Sequence, residues 1–346
     1  MKNIHGGDSY RYENILDFSA NINPLGTPQS IIKAVEKNLN SIAQYPDIYC
    51  EKLREKIAAA EMVDKEMVIC GNGAADLIYR LVFAKKPKKA LILAPGFAEY
   101  EQALCACGTE IIYYYLNHKD FRLEKTFLEA LTEDLDLICI CSPNNPTGAV
   151  IEPELLYAVS RTCREKHIFM LMDECFNDFL DEPQKYTLLE QAKKEKHIFV
   201  LKAFTKMYGM AGIRLGYGIC TNQEVLEKMY DIGPPWNVSV LAQAAGIAAI
   251  DEKEFTEKTR RYIKEEKEKL YVELENLKIQ YWKTDANYIF LKDRKGLKEL
   301  LLKKGILIRD CSNYPGLEAG YYRIAVKTDK DNQKLIEVLK EVREKA

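Results

Sequence analysis

The chain has 346 residues, of which 47% are hydrophobic and 29% are charged, and its formal net charge at pH 7 is −2. A chain of this length can bury a large core and form more than one compact unit. Its near-neutral charge argues against nucleic acid or an anionic membrane as the main partner.

The start of the chain has no long apolar run after its first lysine, and no later stretch approaches the length of a membrane span. The ten cysteines are scattered, several of them inside apolar runs such as "ALCACG" and "LICICS", which is typical of buried thiols. No C-x-x-C pair occurs and the four histidines are dispersed, so no metal site is expected. We expect a reduced, cytoplasmic protein.

From residue 67 onward, short apolar runs alternate with segments of helical period. Buried strands are predicted in the runs "MVIC", "KALILAP", "EIIYYYL", "LDLICICSP", "HIFMLMDE", "HIFVLKAF" and "RLGYGIC". Amphipathic segments such as "EPELLYAVSRTCREK" predict helices between several of them. This alternation predicts an α/β fold with a mostly parallel sheet covered by helices on both faces. In such sheets, ligands bind beyond the carboxyl ends of the strands.

The pattern changes after residue 237. One long helix is predicted over roughly residues 238–277, followed by strands in "DANYIFL", "GILIRD" and "YYRIAV" and helices in "GLKELLLKKG" and "NQKLIEVLKEVREK". These elements predict a smaller α+β domain, onto which the N-terminal residues pack. We therefore predict a large domain over residues 41–237 and a small domain formed by residues 1–40 and 238–346.

Four predicted strand ends carry polar or small residues. They are "CGNGAAD", whose small residues let backbone amides approach an anion, "SPNNPTG", "LMDE" and "TKMYGMAGIR". Taken singly, each is an ordinary turn, helix cap or solvated loop. Their common position at the ends of parallel strands predicts one shared polar site.

The order of these motifs resembles a known family. "SPNNPTG", then "DE", then "TK" with an arginine eight residues beyond the lysine is similar to the fold-type I pyridoxal-phosphate enzymes. Within them, the chain most resembles the histidinol-phosphate aminotransferase-like group of the class I and II aminotransferases, over nearly its whole length. The resemblance implies pyridoxal 5'-phosphate as cofactor, which serves as an electron sink for the bonds at an amino acid's Cα. It also implies a homodimer with shared active sites.

The resemblance assigns expected roles around the cofactor. Lys206 would bond covalently to the cofactor and later move protons, and Asp173 would keep the pyridine nitrogen protonated. Asn145 would donate to the ring hydroxyl. Other groups would hold or cover the cofactor: Arg214, Thr205 and the backbone amides of Ala74 and Ala75 at the phosphate, Tyr45 of the neighbouring subunit at the same phosphate, and Phe97 stacked on the ring. For Phe97, a place in the hydrophobic core is a serious alternative.

Two positions depart from the family pattern. Phe176 stands where many relatives have a tyrosine that donates to the ring hydroxyl, and Ala203 stands where a serine or threonine is usual. One hydrogen bond to the ring and one to the phosphate are therefore expected to be missing, with altered electronics and weaker cofactor retention.

The C-terminal arginines indicate the substrate. Arg323, in "YYRIAV", aligns with the family's carboxylate-binding arginine, and Arg309, in "LIRDCSNYPGL", with a region that contacts a substrate phosphate. Either arginine alone could instead lie in a surface ion pair.

Four further motifs indicate one branch of this group. "HGGD", "LDFSANINPLG", "PPWNVS" and "RDCSNYPGL" resemble the branch whose members decarboxylate threonine phosphate. This implies conversion of O-phospho-L-threonine to 1-aminopropan-2-yl phosphate, a step of cobalamin side-chain synthesis. His5 and Gly6 would then join Arg309 at the substrate phosphate, and Asn23 would lie near the substrate.

Three alternatives stay open. The first is a phosphoserine decarboxylase, because a single methyl group is worth only about 1–3 kcal/mol in a pocket. The second is a histidinol-phosphate or related aminotransferase that uses 2-oxoglutarate. The third is a non-catalytic protein of the same fold that binds pyridoxal phosphate, against which the intact Lys206, Asp173 and Arg323 argue.

Overall fold

The computed structural model describes residues 5–344. The strands are β1 Leu16–Asp17, β2 Val68–Gly71, β3 Lys89–Ala94, β4 Glu110–Tyr115, β5 Leu137–Cys141, β6 Phe169–Asp173, β7 Ile198–Ala203, β8 Gly216–Ile219, β9 Gln280–Trp282, β10 Tyr288–Lys292, β11 Ile306–Leu307, β12 Arg309–Asp310 and β13 Tyr321–Ala325. The α-helices are α1 Gln29–Lys37, α2 Glu51–Glu61, α3 Ala74–Lys85, α4 Ala98–Cys107, α5 Phe127–Ala130, α6 Pro153–Glu165, α7 Leu189–Ala192, α8 Gln223–Ile232, α9 Val240–Ile250, α10 Lys253–Asn276, α11 Leu297–Leu302 and α12 Asp329–Glu344.

A seven-stranded sheet forms the centre of the larger part, in the order β2-β8-β7-β6-β5-β3-β4. Strand β8 runs antiparallel to both of its neighbours, and the remaining pairs are parallel. Successive residues of β5 enter different cores: Ile138 and Ile140 pack on one face, and Leu137 and Cys139 on the other. Because both faces are buried under helices, the strands read as continuous apolar runs. The predicted α/β fold is confirmed.

A second, antiparallel sheet lies in the C-terminal part, in the order β12-β13-β10-β9. Its core is shared with α10 and α12, through residues such as Leu270 and Leu339. The N-terminal arm, residues 5–40, joins this part. Its strand β1 pairs in parallel with β11, with Leu16 opposite Ile306. This arrangement confirms the predicted smaller α+β unit.

The long helix predicted over residues 238–277 is divided into α9 and α10. Helix α9 is apolar and enters a core that also contains Ile31 of α1 and Val68 of β2. Helix α10 is rich in charged residues and buries only one face. The packing of α1 and α9 against the large sheet therefore crosses the predicted boundaries at residues 40 and 237, and that division stays a prediction. Within residues 5–344, no helix is both long and apolar enough to span a bilayer.

Candidate active site

A cavity of about 310 Å³ lies beyond the carboxyl ends of β5, β6 and β7, where the N-terminal arm and β13 close over the sheet. It brings together most of the predicted site residues. Those that line it are His5, Gly6, Ala74, Ala75, Phe97, Asn145, Asp173, Thr205, Lys206, Arg214, Arg309 and Arg323. The predicted strand ends therefore do meet at one cavity. The role of each residue stays a prediction.

Asp173 ends β6 and lies at the floor of the cavity, where it is 3% exposed. The Tyr100 hydroxyl donates to its Oδ2 at 2.5 Å, and the Cys175 amide donates to its Oδ1 at 2.9 Å. Burial raises the pKa of Asp173 despite these two hydrogen bonds. No basic side chain among the described residues forms an ion pair with it. An acid in this setting is suited to a cationic ligand group.

Lys206 comes three residues after the end of β7 and faces the same cavity. Burial is the main cause that lowers the pKa of its ammonium group to about 8, and the charge of Arg323 lowers it further. The amine is therefore partly neutral near physiological pH, which suits both a nucleophile and a proton carrier.

Glu174, the second acid of "LMDE", does not line the cavity. Its carboxylate accepts hydrogen bonds from the Thr187 hydroxyl at 2.7 Å and the Leu188 amide at 2.9 Å. Burial outweighs the attraction of Lys202 and raises the pKa of Glu174 to about 7. The period-two geometry of the strand end sends neighbouring acids to different environments.

This raised pKa predicts a pH-dependent stability. Above its ordinary pKa of 4.5, Glu174 has lost its proton in the unfolded state but still keeps it in the folded state. Its contribution to the free energy of unfolding is therefore fully present below pH 4.5 and is lost as pH rises through about 7. Between these two pH values, the free energy of unfolding of the wild type should fall by about 3 kcal/mol more than that of Glu174→Gln. The glutamine has no proton to release. Urea unfolding at about pH 5 and about pH 8 measures the difference. Identical changes in the two proteins would refute the assignment.

The first turn of α3 and Arg214 form an anion cradle at one end of the cavity. A Cβ atom on Gly73 would lie 2.6 Å from Arg214 Nη2, and one on Gly216 would lie 2.8 Å from the Ala74 amide nitrogen. The missing side chains allow the guanidinium and the helix N-terminus to meet, and Gly73 also has a φ of +82°. Thr205 lines the same cavity, and the amides and the arginine match the needs of a phosphate group.

Arg323 lies on β13 and is 5% exposed. Its Nη1 donates to Asn145 Oδ1 and its Nη2 donates to Ser19 O at 2.7 Å. The guanidinium also lies 5.3 Å from the ring centre of Tyr288. These contacts hold Arg323 in one position at the cavity wall.

Arg309 is also buried, at 7% exposure, and lies 5.1 Å from the ring centre of Tyr314. Its Nη2 donates to Asn313 Oδ1 at 2.8 Å. His5 lies at the cavity rim, with its Nε2 2.9 Å from Glu99 Oε1. Gly6 packs so closely on the backbone of Ser19 that a Cβ atom on Gly6 would lie 2.3 Å from Ser19 O. Both C-terminal arginines are therefore buried at the cavity and do not lie on the surface.

Two predicted residues do not line the cavity. Asn23 is buried and its Nδ2 donates to Met207 O at 2.6 Å and to Thr259 Oγ1 at 2.8 Å. It ties the N-terminal arm to the backbone next to Lys206, and its expected place near the substrate stays a prediction. Tyr45 is 80% exposed and packs against Trp236, with ring centres 4.6 Å apart and the rings tilted by 32°.

The two departures from the family pattern do face the cavity. Phe176 and Ala203 both line it, and the Phe176 ring packs against Tyr288 at 5.1 Å. No hydroxyl is therefore available at either position.

Sequence reasoning missed Tyr100, Asn21 and Tyr314. Tyr100 lies in the first turn of α4, three residues after the N-cap residue Phe97 in the motif "PGFAEY", and this spacing was the available signal. Asn21 precedes Asn23 by two residues and lines the cavity in its place. Tyr314 also lines the cavity, close after Arg309.

Comparison with known proteins decides the family. Residues 13–339 match the family Aminotransferase class I and II. The chain belongs to this family. Its members share the fold-type I architecture and depend on pyridoxal phosphate, so the expected fold and cofactor are confirmed.

Individual members of the aminotransferase class I and II family resemble the chain over nearly its full length. The threonine-phosphate decarboxylase of Salmonella typhimurium is 37% identical over 335 residues, which are 95% of this chain and 92% of that protein. The solved histidinol-phosphate aminotransferase of Clostridium acetobutylicum is 30% identical, with a TM-score of 0.90, and the match covers 96% of this chain and 100% of that chain. The solved L-threonine-O-3-phosphate decarboxylase of Porphyromonas gingivalis is 25% identical, with a TM-score of 0.83 and coverage of 94% and 99%.

The residues present fit the family's cofactor. The anion cradle at Gly73 and Arg214 suits its phosphate, and the buried acid Asp173, which has no cationic partner among residues 5–344, suits its protonated ring nitrogen. Lys206 lies on the same cavity with a partly neutral amine.

Proposed function

We propose that the chain decarboxylates O-phospho-L-threonine to 1-aminopropan-2-yl phosphate, and that this serves cobalamin side-chain synthesis. The observation that carries the proposal is a pair of buried arginines, Arg323 and Arg309, in the one cavity that holds Lys206. Two guanidinium groups suit a substrate with two anionic groups, a carboxylate and a phosphate. The similarity to a threonine-phosphate decarboxylase at 37% identity supports the same substrate.

In this proposal the phosphate of the substrate lies at Arg309. A recess of about 40 Å³ opens beside this arginine, lined by His5, Gly6, Asp8, Ser19, Lys298, Leu307, Ile308, Arg309 and Asp310. His5 and Gly6 both line this recess, and Gly6 packs closely on Ser19. Because an imidazole N–H and backbone amides are donors, we expect this segment to contact a phosphate beside Arg309.

The cofactor would be held by the residues that the family pattern indicates. Arg214, Thr205 and the amides of Ala74 and Ala75 would hold its phosphate, Asp173 its ring nitrogen and Asn145 its hydroxyl, with Phe97 against the ring. When bound, pyridoxal phosphate supplies an electron sink for the bonds at the substrate's Cα.

Lys206 supplies the proton that the reaction needs. Loss of carbon dioxide breaks the bond between Cα and the carboxylate carbon, and a proton must then be added at Cα. With a pKa of about 8, most Lys206 side chains carry a proton at pH 7 and can donate it. Arg323 would hold the substrate carboxylate in place while the bond between that carboxylate and Cα breaks.

We also propose a cytoplasmic homodimer. Members of this family are typically dimeric. Residues 39–49 carry several exposed apolar side chains, and the exposed Trp236 packs on one of them, Tyr45. Exposed apolar surface of this kind marks association sites. Across such an interface, Tyr45 would reach the cofactor phosphate of the partner subunit.

A histidinol-phosphate aminotransferase using 2-oxoglutarate is the second candidate. The TM-score of 0.90 with such an enzyme favours it, and it would use the same lysine, aspartate and arginines. Phosphoserine decarboxylation is a further alternative. Its substrate differs from O-phospho-L-threonine only in lacking one methyl group.

A product assay tests the proposal. The holoenzyme is incubated with O-phospho-L-threonine alone, with O-phospho-L-serine alone, and with histidinol phosphate plus 2-oxoglutarate. We expect carbon dioxide and 1-aminopropan-2-yl phosphate from the first mixture, with a higher kcat/KM than for the serine compound. Glutamate from the third mixture, without carbon dioxide from the first, would overturn the proposal.

A further inference from the structure

Tyr100 is a buried residue that lies behind the cavity wall and does not line the cavity. It is in the first turn of α4 and is 3% exposed, and its hydroxyl donates to Asp173 Oδ2 at 2.5 Å. A hydrogen bond from a hydroxyl to an ionised oxygen is typically about 2.5–2.7 Å long, so this length fits an ionised Asp173. Burial raises the pKa of Tyr100 well above its ordinary value. The hydroxyl therefore keeps its proton and stays a donor at neutral pH.

Tyr100 also contacts Phe97. The two rings pack edge to face, with ring centres 5.6 Å apart and an angle of 84° between the rings. Asp173 and Phe97 both line the cavity, and they are the residues proposed for the ring nitrogen and the ring face of the cofactor. Tyr100 therefore supports two proposed cofactor contacts from behind, one through a hydrogen bond and one through packing.

Two opposing effects act on the charge of Asp173. Burial favours the neutral acid, whereas hydrogen bonds from the Tyr100 hydroxyl and from the Cys175 thiol and amide favour the carboxylate. A carboxylate can hold a proton on a bound ring nitrogen, and a carboxyl group that has taken up that proton itself cannot. The hydrogen bond from Tyr100 therefore favours the form of Asp173 that a protonated ring requires.

We propose that Tyr100 is a positioning residue that holds Asp173 as a carboxylate and thereby keeps the proton on the ring nitrogen of the cofactor. Hydrogen bonds at the ring nitrogen tune the electronics of pyridoxal phosphate, so Tyr100 would act on the electron sink without touching it. The inference rests on the proposed contact between Asp173 and that nitrogen. It applies equally to a decarboxylase and to an aminotransferase.

An analogue of pyridoxal phosphate in which a C–H group replaces the ring nitrogen tests this role. Dissociation constants of both compounds are measured by equilibrium dialysis with the full chain freed of cofactor. In Tyr100→Phe we expect pyridoxal phosphate to bind about 10-fold more weakly and the analogue to bind within about twofold of wild type. Cys175 still donates to Asp173 in this variant and the phenyl ring keeps the contact with Phe97, so we expect the variant to fold.

A spectroscopic measurement reads the position of the proton. The NMR signal of pyridoxal phosphate labelled at its ring nitrogen should show a protonated nitrogen in the wild-type holoenzyme and should move toward the unprotonated position in Tyr100→Phe. Tyr281→Phe is the matched control, because the Tyr281 hydroxyl also donates to a carboxylate at 2.5 Å, that of Glu275, and neither residue lines the cavity. This control should change neither the dissociation constants nor the nitrogen signal.

Equal losses of affinity for both compounds in Tyr100→Phe, with an unmoved nitrogen signal, would indicate a purely structural role and overturn the inference. If Tyr100 acts through Asp173, adding Tyr100→Phe to Asp173→Asn should leave the ratio of the two dissociation constants unchanged, and a further change in that ratio would contradict the route. The proposed contact of Asp173 is read separately from the wild type. Equal affinity of the wild type for both compounds would refute that contact, while the choice between decarboxylase and aminotransferase is read from the products.

Discussion

Lys206→Ala is expected to lower kcat by about 10³-fold or more, while the protein stays folded. The reason is that one side chain would both bond the cofactor and carry the proton to Cα, and positioned proton transfer alone contributes about 10²–10⁴-fold. The substitution also removes a buried amine whose pKa is lowered to about 8, so folding should not suffer from it. Steady-state assays of carbon dioxide release, with circular dichroism as the folding check, measure both effects.

A control substitution at another lysine and a chemical rescue experiment make this test specific to Lys206. Lys228→Ala removes an exposed lysine that pairs with Glu224 on α8, and it should leave kcat unchanged. A small primary amine added to Lys206→Ala should restore part of the proton transfer, because the shortened side chain leaves room in the cavity. Full activity in Lys206→Ala would show that another group does the chemistry.

Arg323→Ala is expected to lower kcat/KM by about 10²- to 10³-fold, equivalent to about 3–4 kcal/mol. The variant leaves the substrate carboxylate without its charged partner, and it also frees Asn145 Oδ1 and Ser19 O, which Arg323 now satisfies. Arg323→Lys keeps the charge but loses the planar fork, so it should recover only part of the loss. Kinetics with O-phospho-L-threonine measure the three proteins.

The comparison with Arg309→Ala separates the two ends of the cavity. Arg323→Ala should weaken L-threonine more than 1-aminopropan-2-yl phosphate, and Arg309→Ala should do the reverse. The same ligand preference in both variants would contradict the proposed division between a carboxylate end and a phosphate end. Equal kcat/KM in Arg323→Ala and wild type would remove Arg323 from substrate binding.

The motifs that lie close together in sequence were predictable from the sequence alone. Lys206 and Arg214 lie on one connection between two strands, so eight residues of spacing suffice to bring both to the same edge of the sheet. The apolar runs predicted the strands of the large sheet because strands buried on both faces are apolar throughout. Asp173 was predictable in the same way, as the acid that ends such a run.

Contacts between distant segments were decided by the tertiary structure. The hydrogen bond of Tyr100 to Asp173 joins residues 73 positions apart, and that of Arg323 to Ser19 joins residues 304 apart. The local pattern "NINP" offers two asparagines to the cavity and cannot choose between them. Asn21 lines the cavity and Asn23 is tied to Met207 and Thr259 because partners far along the chain fix how the arm lies. Local periodicity therefore determined the elements and the sheet edge, and packing between remote parts of the chain decided which side chains meet there.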